Sequence, residues 1–300
     1  MTGSRATVRA PVAAPSTFLR DATLIAGFDL RESLRTRRAL VLVLLYVLIA
    51  SAASYIYVQA VATIDNVTVL AGGQDAAMEA AKDEGYGQML LFFAGGDATL
   101  ADHLATYPAM VLLFAWVSLA FLPWFIALTS YDQIAGELHL RTIRYAALRT
   151  SRGAYVLGKL LGQAALVAGV AALGMIPVVL IGAIWLPNFA AVATITALLS
   201  TWPVTVVCAL GFLGVVSLAS QLTRTPGTAR AAAVGLLFGV WLLSLQSGAW
   251  AWLGVLSPWY WKPGLYQPGI TDRLVAAAGC LGLCAGYTAL GYLRFRRRDL

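Results

Sequence analysis

The chain has 300 residues, 60% of them apolar and 12% charged, with a mean hydropathy of +0.76 and a formal net charge of +7. In a soluble protein that charge would suggest nucleic acid, but a chain this apolar is no soluble nucleic-acid binder, and no polar stretch is long enough to fold as a separate soluble domain. Lys, Arg, Asp, Glu and His are absent from Ala39 to Ile64, Leu104 to Tyr131, Leu160 to Thr223, Ala231 to Trp261 and Leu274 to Leu293. The third run is long enough for two crossings.

A hydrocarbon core about 30 Å thick takes roughly 20 apolar residues per helix. The expected fold is therefore an all-α integral membrane protein of six transmembrane helices. The spans are expected at about 39–62, 107–130, 160–186, 199–221, 231–250 and 273–293, after a cytoplasmic N-terminus (1–38) and before a basic tail (294–300). Arg5, Arg9, Arg20, Arg31, Arg35, Arg37 and Arg38 precede the first span, and Arg294, Arg296, Arg297 and Arg298 follow the last. The connection between spans two and three is also basic, whereas the first loop on the far side carries Asp65, Asp75, Glu79, Asp83, Glu84, Asp97 and Asp102. The positive-inside rule then makes both termini cytoplasmic. The first 38 residues lack the apolar core of a cleavable signal, so the N-terminus is expected to be retained. The preference for Ala, Leu, Gly and Arg over Lys suits a GC-rich bacterium, and the expected location is then a bacterial inner (plasma) membrane.

From the N-terminus, 17–38 mixes Leu24, Phe28 and Leu34 with Arg31 and Arg35, which predicts an interfacial elbow helix resting on the headgroups. It serves either as a basic topology anchor or as a contact for a partner as well. In the first outer loop, Gln74 to Gly85 reads as a short polar helix and Met89 to Phe93 as a surface-resting segment. Pro123, Pro177 and Pro203 are expected to kink spans two, three and four. Spans three and four form a tight hairpin near Pro187 and Asn188. After span five, Trp250, Trp252, Trp259, Tyr260, Trp261 and Tyr266 make an aromatic belt, with a partly re-entrant plug as the alternative. Gly158 with Gly162 and Gly282 with Gly286 have the G-x-x-x-G spacing that lets helices approach closely, more readily within the chain than at a dimer seam. Cys208, Cys280 and Cys284 fall in spans and read as small packing residues.

The connection from Tyr131 to Gly162 is the most organised. Glu137 and Arg141 stand at i, i+4 in the favourable order, with Arg144 extending that side and Leu140, Ile143 and Ala147 on a neighbouring one, so a weakly amphipathic helix is expected. Gly153 to Lys159 matches most of G-x-x-x-x-G-K. Leu160 stands where Ser or Thr must hold Mg²⁺, however, and no strand precedes the glycine, so no nucleotide site is expected. His103 and His139 both lie outside the spans, which leaves no histidine for a catalytic pair or metal cluster at depth.

Tyr131-Asp132, Ala135-Gly136-Glu137, Thr142, Arg152 and Leu157-Gly158-Lys159-Leu160-Leu161-Gly162 resemble the cytoplasmic loop of type-2 ABC transporter permeases, which commonly reads G-E, then G-T-L, P-x-x-R and L-G-K. Phe295-Arg-Arg-Arg-Asp-Leu300 is similar to the ending of many of them, and the basic first helix and six spans extend the likeness over the chain. Arg141 replaces the usual glycine before Thr142, and Thr150 or Ser151 stands where proline is common. The resemblance implies that Gly136, Glu137, Arg141, Thr142, Arg144, Arg149 and Arg152 couple the chain to a separate ABC ATPase subunit. ATP and Mg²⁺ then belong to that partner, and this chain binds no cofactor and no metal and is not itself an enzyme. It further implies a second permease copy or paralogue, with spans two and five lining the seam. The expected partners are these subunits and the lipid bilayer, with no nucleic acid.

The expected function is thus the transmembrane subunit of an ATP-driven exporter. A secondary transporter would show a charged midplane site or a pseudo-repeat, and neither is visible. A non-transporting structural or sensory membrane subunit stays open, and copurification of a nucleotide-binding subunit discriminates it. An uncharged path favours amphipathic or apolar cargo, although polymer export, maturation of a periplasmic metalloenzyme and a motility role fit the same motifs.

Overall fold

The computed structural model describes residues 18–70, 87–88, 90–91, 94–143, 150–186, 189–246 and 248–298. The expected polar helix at Gln74 to Gly85, most of Met89 to Phe93, the hairpin tip at Pro187 and Asn188, and Arg144, Ala147 and Arg149 lie outside these residues. Among the described residues the chain is helical and has no strand.

In chain order the helices are α1 (Phe18–Arg35), α2 (Arg37–Leu70), α3 (Ala98–Ala105), α4 (Ala109–Ser130), α5 (Ala135–Leu140), α6 (Arg152–Trp185), α7 (Ala191–Leu222) and α8 (Pro226–Ser244). A 3₁₀ segment (Gly248–Leu256), the single turn α9 (Pro258–Trp261) and a second 3₁₀ turn (Pro263–Tyr266) lead into α10 (Ile270–Arg296). Six stretches among the described residues are long and apolar enough to cross a membrane: they belong to α2, α4 with α5 continuing it, α6, α7, α8 and α10. The architecture is that of the expected six-span all-α membrane protein.

Several helices outrun the charge-free stretches that announced them. The third starts at Arg152, where the Ser151 hydroxyl accepts the Ala154 N–H at 3.2 Å. Charge limits what lipid can cover, not where a helix can begin, and the first turns of α6 are covered by protein. Conversely α8 ends at Ser244, so Trp250 belongs to the 3₁₀ segment that follows. Pro123, Pro177 and Pro203 all lie inside helices that continue past them.

α4 and α7 form the centre of the bundle, two thirds buried, while α2, α8 and α10 are mostly open to their surroundings. α7 and α10 make the most extensive helix pairing. A methyl at Gly214 would come within 2.6 Å of the Cys284 Cα, so these backbones meet because glycine leaves the space. Cys208, Cys280 and Cys284 are free and buried in this core. Gly282 and Gly286 differ from expectation: nothing lies within 4 Å of a methyl at either, so they take no part in packing among the described residues. α10 uses Cys280, Cys284 and Gly291 on its inner face instead.

The aromatic segment is divided between two roles. Trp250 and Trp252 are exposed, as a belt would be. Trp259 packs on Phe212 with ring centroids 4.1 Å apart, and Leu265 and Tyr266 are buried. At the same end of the bundle, Gln267 donates to Asp97 at 3.0 Å, and Arg273 meets His103 at 3.2 Å, tying α3 to the start of α10.

Candidate functional site

The site is built where α1 crosses the first turns of α6. Gly158 and Gly162 lie four residues apart on one face of α6, and α1 seats in the groove they leave. A methyl at Gly158 would stand 2.7 Å from the Ala22 carbonyl oxygen, and one at Gly162 would stand 2.9 Å from that of Ala26. This G-x-x-x-G pair therefore serves contact within the chain. The complementary face of α1 carries Ala22, Ala26, Asp29 and Ser33, while Leu19, Leu24, Phe28 and Leu34 are exposed.

Such close approach places Lys159 against Asp29, both about 95% buried. The Lys159 ammonium donates to Asp29 Oδ1 at 2.7 Å and lies 2.7 Å from Glu137 Oε1. The other Asp29 oxygen accepts from Gln163 at 2.8 Å; the Gln163 amide also reaches Ser33 and accepts from Ser130 at 2.8 Å. One polar chain thus links α4, α6, α1 and α5. Buried charges persist only when paired and hydrogen-bonded, and each member here has a partner of the required kind.

The turn ahead of α5 is held in the same region. Arg38 pairs with Asp132 at 3.0 Å and lies over the Tyr131 ring, 5.1 Å from its centroid. α5 has no side-chain cap of its own at Ile134. Instead the buried Ser220 hydroxyl, near the end of α7, accepts the N–H groups of Ile134 at 3.0 Å and Ala135 at 3.2 Å. Donors that a helix start leaves without partners are thus satisfied from another helix.

The residues expected to couple to a partner fall into three groups. Glu137 and Arg152 are engaged inside the chain, since Arg152 donates to the carbonyls of Arg296 at 2.7 Å and Arg298 at 3.1 Å. Gly136, Arg141 and Thr142 lie on or just beyond α5, with the Thr142 hydroxyl donating to the Glu137 carbonyl at 3.4 Å. Arg144 and Arg149 are outside the described residues.

The expected amphipathic helix and its Glu137–Arg141 pair do not form as read. α5 ends at Leu140, and Arg141 takes the left-handed conformation, φ 58°. Glu137 turns to Lys159, Leu140 is 71% exposed, and Ile143 is buried among Ile134, Tyr155, Val156 and Phe295. Leu140 and Ile143 therefore do not share a side. Arg141 occupies the position where the resembled permeases commonly have glycine, and its positive φ supplies the reason, because glycine adopts that conformation without a Cβ clash.

The sequence alone assigns no site role to Asp29, Lys159, Gln163, Arg38 or Asp132: Lys159 and Asp132 enter only within motifs, Arg38 only among the charges before the first span, Asp29 only within the elbow-helix stretch, and Gln163 not at all. The signal was present in the small-residue face Ala22, Ala26, Asp29 at helical spacing, matched to Gly158 and Gly162 with Lys159 between them. The segment Gly153 to Lys159 is helix, not a phosphate loop. Beside the network opens a polar pocket of about 290 Å³, bordered by Glu32, Ser33, Thr36, Arg38, Asp132 and Gln133. Four carboxylates against two cations line it, so it favours a cationic group. Gln133 is 7% exposed, and among the described residues neither of its amide atoms has a hydrogen-bond partner.

The two short motifs in the Tyr131 to Gly162 connection, Gly136-Glu137 and Gly158-Lys159, thus meet through one ion pair. No protein of curated function matches this chain in sequence. The family model described as ABC-2 family transporter protein matches residues 23–257, a stretch that includes the site and five of the six spans. The chain belongs to the ABC-2 transporter family and is a multi-pass membrane permease.

Proposed function

We propose that the chain is the membrane subunit of an ATP-driven exporter in a bacterial inner membrane, coupled through residues 132–152 to a separate ATPase subunit that binds ATP and Mg²⁺. Both termini lie on the cytoplasmic side, and α1 rests at that interface with Leu19, Leu24 and Phe28 toward lipid. The observation that carries the coupling is the Lys159 ion pair to both Asp29 and Glu137. Through it, a push on α5 reaches α1 and α6 together, whereas an isolated loop would absorb the displacement. A family that supplies transport machinery and a connection tied to three helices both support this reading.

A second copy completes the path in this proposal. The exposed residues of α4 are Trp116, Ala120 and Trp124, which form a line at i, i+4 spacing. α8 exposes Val234, Phe238 and Trp241. These two faces are where spans two and five would meet the partner permease. ATP-driven approach of two ATPase subunits would move α5 and tilt α4 and α6 at that seam.

The decisive variants are at Arg141, which is exposed. Arg141→Glu is expected to abolish permease-stimulated ATP hydrolysis in membrane vesicles while leaving the amount of inserted protein unchanged. Arg141→Gly removes the charge and relieves about 1 kcal/mol of left-handed strain, so it separates charge from folding. Full stimulated hydrolysis in both variants would overturn the assignment of the contact to this turn.

A further inference from the structure

A basic cluster lies apart from the pocket of the coupling site. Leu222, Arg224, Arg294, Arg297 and Arg298 surround a cavity of about 500 Å³ where α7 and α10 end. No carboxylate among the described residues lines it.

Four guanidinium groups at one cavity repel one another, and the fold nevertheless holds them there. Arg298 donates to the Thr223 carbonyl at 2.9 Å and to the Leu222 carbonyl, using the free acceptors at the end of α7. Arg152 donates to the carbonyls of Arg296 and Arg298, which fixes the turn that follows α10. Burial and then the neighbouring Arg224 and Arg294 hold the Arg298 guanidinium below its usual pKa. Arg224, Arg294 and Arg297 are exposed around the cavity.

Apolar surface adjoins the charge on the membrane side. Leu290 and Leu293 on α10 precede Arg294 and the helix-capping Arg297 by four residues each, so each arginine lies about one turn beyond its leucine on the same side. Leu290 is 58% exposed and Leu293 54%, and Leu222 at the cavity wall is 44% exposed. An inorganic anion would use the arginines alone. A molecule with a phosphate head and a hydrocarbon tail would use both surfaces, at the depth where a bilayer places them.

We propose that this cavity binds the phosphodiester headgroup of an anionic phospholipid, with its acyl chains lying along Leu290 and Leu293. Arg224, Arg294 and Arg297 donate to the phosphate oxygens, a geometry to which the planar guanidinium is suited. Arg298 supplies field from its position on the α7 carbonyls. The bound lipid would staple the ends of α7 and α10 together and relieve their mutual repulsion.

The test uses the full chain purified in detergent, with lipid retention read by native mass spectrometry and thermal unfolding. Phosphatidylglycerol is expected to be retained at least tenfold better than phosphatidylcholine and to raise the unfolding midpoint, while millimolar inorganic phosphate does neither. Arg224→Gln, Arg294→Gln and Arg297→Gln combined should remove that preference, and the corresponding Lys variants should keep it at reduced affinity. Unchanged preference in the Gln variant would overturn the site. Equal stabilisation by inorganic phosphate would overturn the lipid assignment, as would a Gln variant that keeps its lipid but loses a copurifying acidic protein. If the Gln variant fails to fold, equal phosphatidylglycerol and phosphatidylcholine retention by the wild type and the Lys variants decides against the proposal.

Discussion

Lys159 shows how much one residue's role depends on its partners. Read along the sequence, it is a basic residue at the border of a span, a position that ordinarily places a charge at the headgroups. In the fold it is buried between Asp29 and Glu137, and its stem lies inside the α1–α6 contact. Removing one member of a buried pair leaves the other charge uncompensated, which costs about 3 to 5 kcal/mol. Lys159→Ala is therefore expected to lower the thermal unfolding midpoint in detergent markedly. Glu137→Gln should cost much less, because Asp29 still neutralises Lys159 and the Glu137 side chain is 28% exposed. Equal losses in the two variants would contradict this ranking of the two carboxylates.

At the level of elements, two contacts determine whether the site exists at all. Ser220 holds the start of α5 by accepting two N–H groups, and Ser220→Ala would leave both without a partner in a buried place. A cost of about 1 to 3 kcal/mol is expected, read as lower thermal stability and faster proteolysis of the segment around α5. The seat of α1 is the second contact. Gly158→Ala forces α1 off the α6 backbone and is expected to cost about 1 to 3 kcal/mol, whereas Gly282→Ala meets open space and should be close to neutral. Comparable destabilisation by both alanines would contradict the role given to the α1 contact, because alanine has the higher helix propensity and propensity alone would stabilise both variants. Gly158 with Gly162, Gly235 with Gly239 and Gly282 with Gly286 all have the G-x-x-x-G spacing, and among the described residues only the first pair is used for close approach within the chain.

For the whole molecule, the arrangement is a pair of buried central helices, α4 and α7, flanked by helices more open to their surroundings, with polar networks at the basic end. In the proposed mechanism, motion at that end would reach the bundle through α6, which runs from Arg152 at the site to Trp185. In a background with Cys208, Cys280 and Cys284 replaced, Ala120→Cys is expected to cross-link between copies, and its labelling should change when ATP binds the partner subunit. No cross-link and no nucleotide dependence would remove α4 from the seam. The three native cysteines are buried, so their replacement matters for packing more than for background labelling.

The sequence by itself determined the six spans, because every crossing must satisfy its own backbone and exclude charge over a fixed thickness, and both demands are local. It also determined the end at which the arginines gather and, through Gly136-Glu137 and Gly158-Lys159, the family. Only the tertiary structure decided that Glu137 serves Lys159 in preference to Arg141, that α1 packs on α6, and that Arg152 is occupied by the carbonyls after α10. Those outcomes turn on which helix faces which and how closely glycine lets them approach. Pairs such as Asp29 and Lys159, 130 residues apart, become neighbours only once the whole bundle has packed.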